Sequence, residues 1–321
     1  MVPTFIRRYL ARLRGRQPRL LRLARAVLPR RARAALQALP ERSVTIAGTG
    51  TLVTESEFRA LAIAHAGAPA APMIAPRAFV HRGEVVVSAL ASLYRGGAFI
   101  ESFLANMAAQ TWFDRAELIV VDAASPDGEV ALIDDYRQRY PNIRYHRTPT
   151  RIGVYAAWNI GIGLARGRYL TNTNVDDLRR ADSFALQATA LAAAPEIGVV
   201  YQDFLYNLEP RLDFAQIARI GLCSSLPQVD RATLLALNPP HNAPMWRATL
   251  HARHGGFDES FTSAGDLEFW LRCAAAGERF RKLDEVHVAY YLNPEGVSNR
   301  PGTPAQQEQE ALRQRFAAPG R

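Results

Sequence analysis

Three carboxylates are the residues of this chain best placed to act together. Asp122 directly follows the apolar run 118–121, and Asp176 and Asp177 come shortly after the run 169–171. Acids that end the strands of one parallel sheet meet at its carboxyl edge, where ligands bind in such sheets. Carboxylates crowded together repel one another unless a cation lies between them. The pattern therefore predicts a divalent metal with oxygen ligands and a phosphate-bearing ligand.

Strands and helices that could position these acids alternate along the chain. Short, mostly apolar runs predict strands at 85–87, 118–121, 143–146, 169–171 and 198–201. Helices are predicted between them at 99–110, 129–140, 154–165 and 182–194. This alternation is typical of βαβ units. We predict an α/β fold, a Rossmann-like, mainly parallel sheet with helices on both faces.

Charge is distributed unevenly over the 321 residues. The net charge is +9, but residues 1–36 contain eleven arginines and no acid, which leaves 28 of the 39 basic residues against all 30 acidic ones. The remaining chain thus has a net charge of −2. Because a nucleic-acid binder usually carries its basic face on the folded domain, nucleic acid is not a predicted partner.

The cysteine content and the hydropathy indicate in which cellular compartment the protein is expected. Cys223 and Cys273 are too few for a disulfide framework or a cysteine-based zinc site, and they fit a reducing cytoplasm. No apolar run approaches the ~20 residues that span a bilayer, and arginines interrupt the N-terminal stretch, so we expect neither a membrane span nor a secretory signal.

Composition divides the chain into four regions. Residues 1–36 form an arginine-rich arm with apolar residues at roughly helical spacing, broken by two prolines. Residues 37–83 are predicted to be an irregular extension or linker in which short strands are possible at 44–46 and 51–53. Residues 84–300 hold the α/β domain, and residues 301–321 are predicted to be a polar, flexible tail.

Five motifs of the α/β domain resemble those of the family-2 type of glycosyltransferase, which has the GT-A fold. The resemblance runs from about residue 85 to 298. Segments 86–94 and 117–127 resemble the nucleotide-holding first strand and the strand that ends in a base-reading aspartate. Gly153, Asn159, Gly161, Ala165 and Gly167 fall where the family has a helix and a tight turn. Segments 174–177 (Asn-Val-Asp-Asp) and 265–272 resemble the metal motif and the acidic helix start that carries the catalytic base.

The resemblance implies transfer of a sugar, with inversion, from a nucleotide-sugar donor, expected to be UDP-linked, to a hydroxyl of a carbohydrate or lipid-linked acceptor. It implies a donor site made of Ser92, Tyr94, Asp122, Arg151, Asn174 and Asp176, with Asp122 accepting the N–H of a uracil-like base. Asp176 and Asp177 would hold the diphosphate through Mg²⁺ or Mn²⁺, which neutralises the leaving group. Asp266 would be the general base, with Glu268 as the alternative.

Four positions depart from the family pattern, and the acids have competing structural roles. Asn174 replaces the first acid of the metal motif, and Ser92 stands where a proline is common. Ala123 replaces the second acid after the second strand, and Gly265 stands where an acid is frequent. Asp122 could cap a turn, and Asp266 could merely cap its helix. The acid pair at 176–177 could instead cap the next helix or pair with Arg179 and Arg180.

The cluster 241–247 combines residue types that recognise sugars. Tryptophan stacks on sugar faces, and histidine and asparagine hydrogen-bond to hydroxyls. His241, Asn242 and Trp246 are therefore predicted to line an acceptor site. A structural role stays open, because tryptophan and methionine are equally good core residues.

Two other function classes stay open. A nucleotidyltransferase also uses paired acids on a similar sheet, but it needs a strongly basic phosphate loop after the first strand, where only Arg95 is found. A non-catalytic nucleotide-sugar or carbohydrate binding module is disfavoured by the presence of Asp266 together with the acid pair.

The arm generates a prediction of its own. We expect residues 1–36 to dock a cytoplasmic, peripheral protein on the anionic inner face of a membrane, because each engaged arginine contributes ~1 kcal/mol near such a surface. The intact chain should co-sediment with anionic liposomes at low salt, and a chain that lacks the arm should not. Binding should weaken as the Debye length falls to ~3 Å near 1 M salt. An intact chain that stays in the supernatant at low salt would show the arm to be a docked helix or a solvated tail.

Overall fold

A computed structural model describes residues 43–69, 83–294 and 304–317. The arginine-rich arm at 1–36 lies outside these residues, as does the segment 295–303. The described residues form two compact units, one made of 43–69 with 205–226 and one made of 83–204, 227–294 and 304–317. No helix among them is long and apolar enough to cross a membrane.

The strands of the described chain are short. They are β1 (Ser43–Ile46), β2 (Thr51–Thr54), β3 (Val87–Leu93), β4 (Ala116–Asp122), β5 (Ile143–Arg147), β6 (Tyr169–Asn172), β7 (Leu178–Arg179), β8 (Ile197–Gln202), β9 (Leu205–Asn207), β10 (Met245–Arg247), β11 (Arg279–Leu283) and β12 (Val288–Tyr291). The α-helices are Glu55–His65, Ile100–Ala108, Val130–Arg139, Val154–Leu164, Ser183–Ala193, Phe214–Ile220, Arg231–Ala236, Thr249–His254, Gly265–Ala275 and Ala305–Ala317.

Residues 43–69, which the sequence predicted to be part of an irregular extension, form a folded part of the smaller unit. Strands β1 and β2 pair antiparallel over their whole length. Thr54 starts the following helix through a capping box with Glu57, and Phe58 on that helix is buried. Residues 205–226 were assigned to the α/β domain and instead complete this unit, where Arg219 Nε donates a hydrogen bond to the Ala66 carbonyl (2.6 Å). The predicted domain of residues 84–300 therefore has to be corrected, because residues 205–226 belong to the smaller unit.

The larger unit is built on a seven-stranded sheet in the order β11-β8-β10-β6-β3-β4-β5. Strand β3 pairs parallel with β4 and β6, β4 pairs parallel with β5, and β8 pairs parallel with β11. Only β10 runs antiparallel to its neighbours β6 and β8. The prediction of a mainly parallel sheet is confirmed, and the carboxyl ends of β3, β4, β5 and β6 share one edge.

Helices cover both faces of this sheet. On one face, Ala89 and Ala91 of β3 pack in a core with residues of the helices Ile100–Ala108, Val130–Arg139 and Ser183–Ala193. Because side chains alternate along a strand, Leu90 points to the opposite face. There it meets the helix Val154–Leu164, where a Cβ on Gly161 would lie 3.2 Å from the Leu90 side chain.

A buried carboxylate anchors the opposite edge of the sheet, where the parallel strands begin. Glu117 of β4 accepts hydrogen bonds from Ser88 Oγ (2.7 Å) and from Arg166 N (2.7 Å) and Nε (2.9 Å), and it also pairs with Arg144. Burial alone would raise its pKa, but these hydrogen bonds outweigh burial and lower the pKa of Glu117 below its usual value. Gly167 closes the same corner, because a Cβ there would lie 2.5 Å from Ser88 N.

The C-terminal region is a docked helix, where the sequence predicted a flexible tail. Ala305–Ala317 is helical, and Leu312 on it is only 1% exposed. Arg313 Nε donates a hydrogen bond to the Leu235 carbonyl (2.9 Å). The prediction missed this helix because its mean composition is polar, whereas only one face has to be apolar for a helix to pack.

The Glu117 cluster generates a stability prediction. Glu117→Gln should lower the free energy of unfolding by about 1–3 kcal/mol, because buried donors lose a charged acceptor. Urea unfolding near pH 7 measures it. Since the folded-state pKa of Glu117 is lowered, its contribution is present above the unfolded pKa of about 4.3 and is lost as pH falls below that value. The difference between variant and wild type should therefore shrink in acid.

The matched control is Glu84→Gln, whose 3.6 Å pair with Arg168 is largely exposed and should contribute about 0–1 kcal/mol. Equal unfolding midpoints for Glu117→Gln and wild type would contradict the anchoring role.

Candidate active site

The turn after β3 is fixed by the loop after β4. Arg95 has a positive φ of 53°, and its N–H donates to Ser125 Oγ (2.9 Å). The N–H of Gly96 donates to Glu129 Oε1 (2.9 Å), which also accepts from Ser125 Oγ (2.8 Å). A Cβ on Gly96 would lie 2.5 Å from the end of the Leu93 side chain, so a larger residue here would displace that buried leucine. The backbone at this edge is thus rigidly held.

Two predicted donor-site residues meet beside this turn. The Arg151 guanidinium carbon lies 4.3 Å from the centre of the Tyr94 ring, a cation–π contact. Arg151 is exposed, and Tyr94 and Ser92 are half-buried. The structure therefore brings an aromatic face and an accessible positive charge together at the carboxyl edge.

Asp122 ends β4 with its carboxylate 1% exposed and surrounded by donors. Its Oδ1 accepts the N–H of Ser125 (2.7 Å), and its Oδ2 accepts Tyr145 Oη–H (2.5 Å) and pairs with Arg147. The turn-capping role that the sequence left open is thus real. Tyr145 and Arg147 were missed by sequence reasoning, although their spacing of two residues puts both on one face of β5.

Asp176 and Asp177 differ in how their oxygens are engaged. Asp177 is buried, and its Oδ1 and Oδ2 accept from Tyr291 N (2.9 Å) and Asn174 Nδ2 (2.8 Å). Asp176 is half-buried, and its Oδ2 accepts from Asn293 Nδ2 (2.9 Å). Burial raises the pKa of both, and for Asp177 the neighbouring charge of Asp176 adds to burial and raises the pKa well above its usual value.

The arginines next in sequence do not neutralise this acid pair. Arg180 pairs with Asp182 (2.6 Å) and Glu285. Arg179 is fully buried and directs its donors elsewhere, to Thr171 Oγ1, the Asn172 carbonyl, Ser183 Oγ and Gln187 Oε1. Burial lowers the pKa of Arg179 to about 9, against the opposing effect of the Asp177 charge. Within the described ranges, no ion pair joins either arginine to Asp176 or Asp177.

The acid pair fits a cation that takes most of its ligands from a substrate. In the part of the chain that the structure describes, no three histidine, cysteine or acidic side chains are grouped to hold a metal. Asp122 is engaged by Ser125, Tyr145 and Arg147. Mg²⁺ typically uses one or two protein carboxylates and completes its shell with water and substrate phosphate. Asp176 and Asp177 therefore suit Mg²⁺ or Mn²⁺ beside a diphosphate, and they do not suit an all-protein metal cage.

Asp266 lies in the first turn of the helix Gly265–Ala275, buried among neutral donors. Its Oδ2 accepts from Asn238 Nδ2 (2.8 Å), and its Oδ1 lies 3.2 Å from Tyr155 Oη. Tyr155 Oη also donates to the Ser263 carbonyl (2.6 Å). Burial raises the pKa of Asp266, and the hydrogen bonds from Asn238 and Tyr155 oppose this only in part.

Tyr155 connects this carboxylate to the sheet edge. It is the second residue of the helix Val154–Leu164, which begins after β5 and therefore starts at the carboxyl edge. The helix that carries Asp266 approaches it closely, because a Cβ on Gly265 would lie 2.8 Å from the Tyr155 ring. This contact explains why glycine precedes Asp266, where the family pattern often has an acid.

Glu268, the alternative base, is engaged by an arginine. Its carboxylate is 2% exposed, and its two oxygens accept from Arg272 Nε (2.9 and 3.0 Å) and Nη2 (2.7 Å). An arginine held in this bidentate way stabilises the ionised carboxylate and blocks its lone pairs. Of the two acids on this helix, Asp266 is the one that keeps neutral partners.

The three predicted acceptor residues do not lie together: Trp246 belongs to the core, whereas His241 and Asn242 lie in the loop before β10. Trp246 lies in β10 between β6 and β8, is 0% exposed and donates from Nε1 to His251 Nε2 (2.9 Å). It therefore belongs to the core and cannot stack on a sugar, which corrects its predicted role. The antiparallel insertion of β10 into the sheet is the reason.

His241 and Asn242 lie in the loop before β10. His241 is half-buried with Nδ1 3.0 Å from the Asn238 carbonyl, and burial lowers its pKa to about 4, so the imidazole is neutral near pH 7. The Asn242 side chain is 2% exposed, and neither its Nδ2 nor its Oδ1 has a hydrogen-bond partner among the described residues. Asn238, which the sequence did not single out, connects this loop to Asp266.

The sequence of this chain matches a known protein family and several of its members. The family model for glycosyl transferase family 2 matches residues 88–253. The uncharacterized glycosyltransferase EpsJ of Bacillus subtilis is 26% identical over 239 residues, 70% of this chain and 66% of that protein. A PGL/p-HBAD biosynthesis glycosyltransferase of Mycobacterium tuberculosis is 27% identical over 203 residues, 63% of this chain and 75% of that protein.

Solved structures share the fold at lower identity. Staphylococcus aureus TarS 1–349 in complex with UDP superposes with a TM-score of 0.55 at 18% identity, covering 72% of this chain and 70% of that one. The mannosyltransferase PcManGT from Pyrobaculum calidifontis, in complex with GDP-Man and Mn²⁺, gives a TM-score of 0.52 at 21% identity, with 75% and 64% covered. Because the family model spans more than half of the sequence, this chain belongs to glycosyltransferase family 2.

Proposed function

We propose that the protein transfers a sugar from a nucleotide-sugar donor, UDP-linked as the first choice, to a hydroxyl acceptor with inversion, and that Asp266 is the general base. The observation that carries the proposal is the setting of Asp266, a buried carboxylate with neutral donors on both sides. TarS was solved in complex with UDP and PcManGT in complex with GDP-Man, and both complexes support a nucleotide-sugar donor for this chain.

The setting of Asp266 suits proton abstraction. Burial raises the pKa of Asp266, which makes the carboxylate a stronger base than an exposed aspartate. As the acceptor oxygen attacks the anomeric carbon, its proton passes to Asp266 and the bond from that carbon to the nucleotide diphosphate breaks. Asn238 and Tyr155 hold the carboxylate in one orientation during this step.

The donor would lie across the turn after β3. Tyr94 and Arg151 offer an aromatic face and a cation, and the cation suits a phosphate oxygen. Asp122 already accepts three donors, but a carboxylate has about four lone-pair sites, so one more N–H from a base can be accommodated. Ser92 and Asn174 complete the set of proposed donor contacts.

The two acids of the metal motif have separate proposed roles. Asp176 has the less engaged carboxylate and is the proposed ligand of Mg²⁺ or Mn²⁺. Both oxygens of Asp177 already accept hydrogen bonds, one from Tyr291 N–H and one from Asn174 Nδ2. Asp177 therefore holds the loop in place and contributes charge. When bound, the cation neutralises the diphosphate leaving group.

The acceptor would approach from the loop that holds His241 and Asn242. Asn238 Oδ1 and both amide atoms of Asn242 are buried without a partner in the described ranges, although buried polar atoms normally have one. Hydroxyl groups of a carbohydrate would satisfy such atoms. A lipid-linked acceptor and the membrane role of residues 1–36 remain proposals that rest on the sequence.

The metal motif generates a prediction. Turnover should stop in excess EDTA and return with Mn²⁺ or Mg²⁺. Asp176→Asn should lower kcat by about 100-fold or more, because charge stabilisation of the leaving group is lost, while its unfolding midpoint stays near that of the wild type. Asp177→Asn should also lower kcat, since the charge beside Asp176 is lost and the acceptor of the Tyr291 N–H is weakened.

Calorimetric titration of Mn²⁺ in the presence of UDP separates the two acids independently of turnover. Asp176→Asn should abolish the metal-dependent heat. Wild-type activity that persists in EDTA would contradict the metal assignment.

The base generates a second prediction. Asp266→Asn should lower kcat by about 10²–10⁴-fold, because an amide keeps the shape but accepts no proton, and nucleotide-sugar affinity should stay within a few-fold. The wild-type rate should fall as pH drops and Asp266 takes up a proton, at a pH above the usual range of an aspartate because its pKa is raised. Residual activity of the variant should lack this acid limb.

Asp258→Asn is the matched control, since Asp258 lies on the nearby loop and bonds only to Ser260 Oγ (2.6 Å) and its N–H (3.0 Å). Wild-type transfer rates in Asp266→Asn would assign the base to another residue.

A further inference from the structure

We propose that the helix Ala305–Ala317 is part of the catalytic apparatus, with Glu308 and Arg313 as positioning residues for the general base. The helix lies outside residues 88–253, where the family model matches. The inference rests on the proposed role of Asp266 and adds the elements that hold its carboxylate in place.

Glu308 fixes the loop that leads into the Asp266 helix. Its Oε1 accepts from Thr262 N (2.7 Å), and its Oε2 accepts from Ser263 N (2.8 Å) and Ala264 N (2.9 Å). Three charge-assisted bonds to successive amides leave this loop little freedom. Asp266 follows only two residues after the last of these amides.

The same loop also fixes the phenol beside the base. The Ser263 carbonyl accepts the hydrogen bond from Tyr155 Oη (2.6 Å), and this oxygen lies 3.2 Å from Asp266 Oδ1. The single phenol proton is within reach of both the Ser263 carbonyl and Asp266 Oδ1, so the position of Ser263 affects how the hydroxyl faces the carboxylate. By holding Ser263, Glu308 therefore controls one side of Asp266.

Arg313 fixes the other side. Its Nε donates to the Leu235 carbonyl (2.9 Å), and its Nη2 lies 3.5 Å from the Ala236 carbonyl, at the last turn of the helix Arg231–Ala236. Asn238 lies two residues after Ala236 and donates its amide to Asp266 Oδ2 (2.8 Å). The free carbonyls of a helix C-terminus are suited to such a cation.

Further contacts hold the helix Ala305–Ala317 against both segments. Leu312 is fully buried, and Arg231 Nη2 donates to the Phe316 carbonyl (2.8 Å). One helix thus holds the Tyr155 side and the Asn238 side of the same carboxylate. Small displacements of a reacting group cost large factors in rate, so loosening this helix should act on the chemical step and leave donor binding alone.

The test compares Glu308→Gln and Arg313→Gln in the full chain with Glu310→Gln. Glu310 is the charge-matched control, because it is exposed on the same helix and its 3.4 Å pair with Arg313 contributes little. Amide hydrogen exchange of residues 262–264 and steady-state kinetics against pH are the two measurements.

Glu308→Gln should speed exchange at these three amides and lower kcat by about 10- to 100-fold, with the donor KM within about twofold. The acid limb of its pH–rate profile should move, because the partners of Asp266 have moved. Arg313→Gln should show the same split between kcat and KM, and Glu310→Gln should match the wild type.

Faster exchange with an unchanged kcat and pH profile would overturn the proposal, since Glu308 would then be a purely structural cap. Unchanged exchange would overturn it as well. Because exchange does not depend on turnover, a wild-type protein that transfers no sugar would refute the proposed function while the loop contact was still measured. If Glu308→Gln does not fold, Arg313→Gln and Glu308→Asp, which keeps the charge on a shorter side chain, decide the same question.

Discussion

The cost of burying a carboxylate is the constraint on which the rest of this structure depends. A buried acid must be given donors or a cation, or it takes up a proton. Six acids are buried among the described residues, and each accepts hydrogen bonds from identifiable partners: Glu117, Asp122, Glu129, Asp177, Asp266 and Glu268. Glu117 and Glu268 are paired with arginines, whereas Asp266, the proposed base, has neutral donors. Neutral donors alone do not identify a reacting acid, because Asp177 also has them and holds a loop in place.

Acids with arginine partners behave as structural anchors. Glu117 is paired with Arg166 and Glu268 with Arg272, and both carboxylates have few lone pairs left for other partners. Acids with neutral donors keep their charge available. Asp266 has an asparagine and a tyrosine as side-chain partners, and burial raises its pKa because these hydrogen bonds offset the effect of burial only in part, which is the property that a general base needs. Asp122 combines both kinds of partner, and this suits a residue that closes a turn and borders the donor site.

Sequence reasoning succeeded where the signal was local. The alternating strands and helices, the acids at strand ends and the acidic helix start at Asp266 can all be read from neighbouring residues. It failed where a partner is distant in sequence. Nothing near Trp246 shows that the three-residue β10 inserts antiparallel between β6 and β8, and nothing near residue 60 indicates that 205–226 completes its unit. Asn238 and Glu308 were missed for the same reason, since their importance comes only from what they contact.

The division between local and distant signals also separates chemistry from its support. The residues proposed to react lie on or beside the βαβ framework, which the family pattern already describes. Their orientation depends on Tyr155, Asn238 and Ser263, and two of these are held by a helix that no motif marks. A carboxylate with neutral partners is useful as a base only while those partners stay in place, because without them it would lose its orientation or become solvated. A carboxylate with neutral donors therefore needs rigid neighbouring segments. The helix Ala305–Ala317 holds those segments, although it lies outside residues 88–253, which the family model matches.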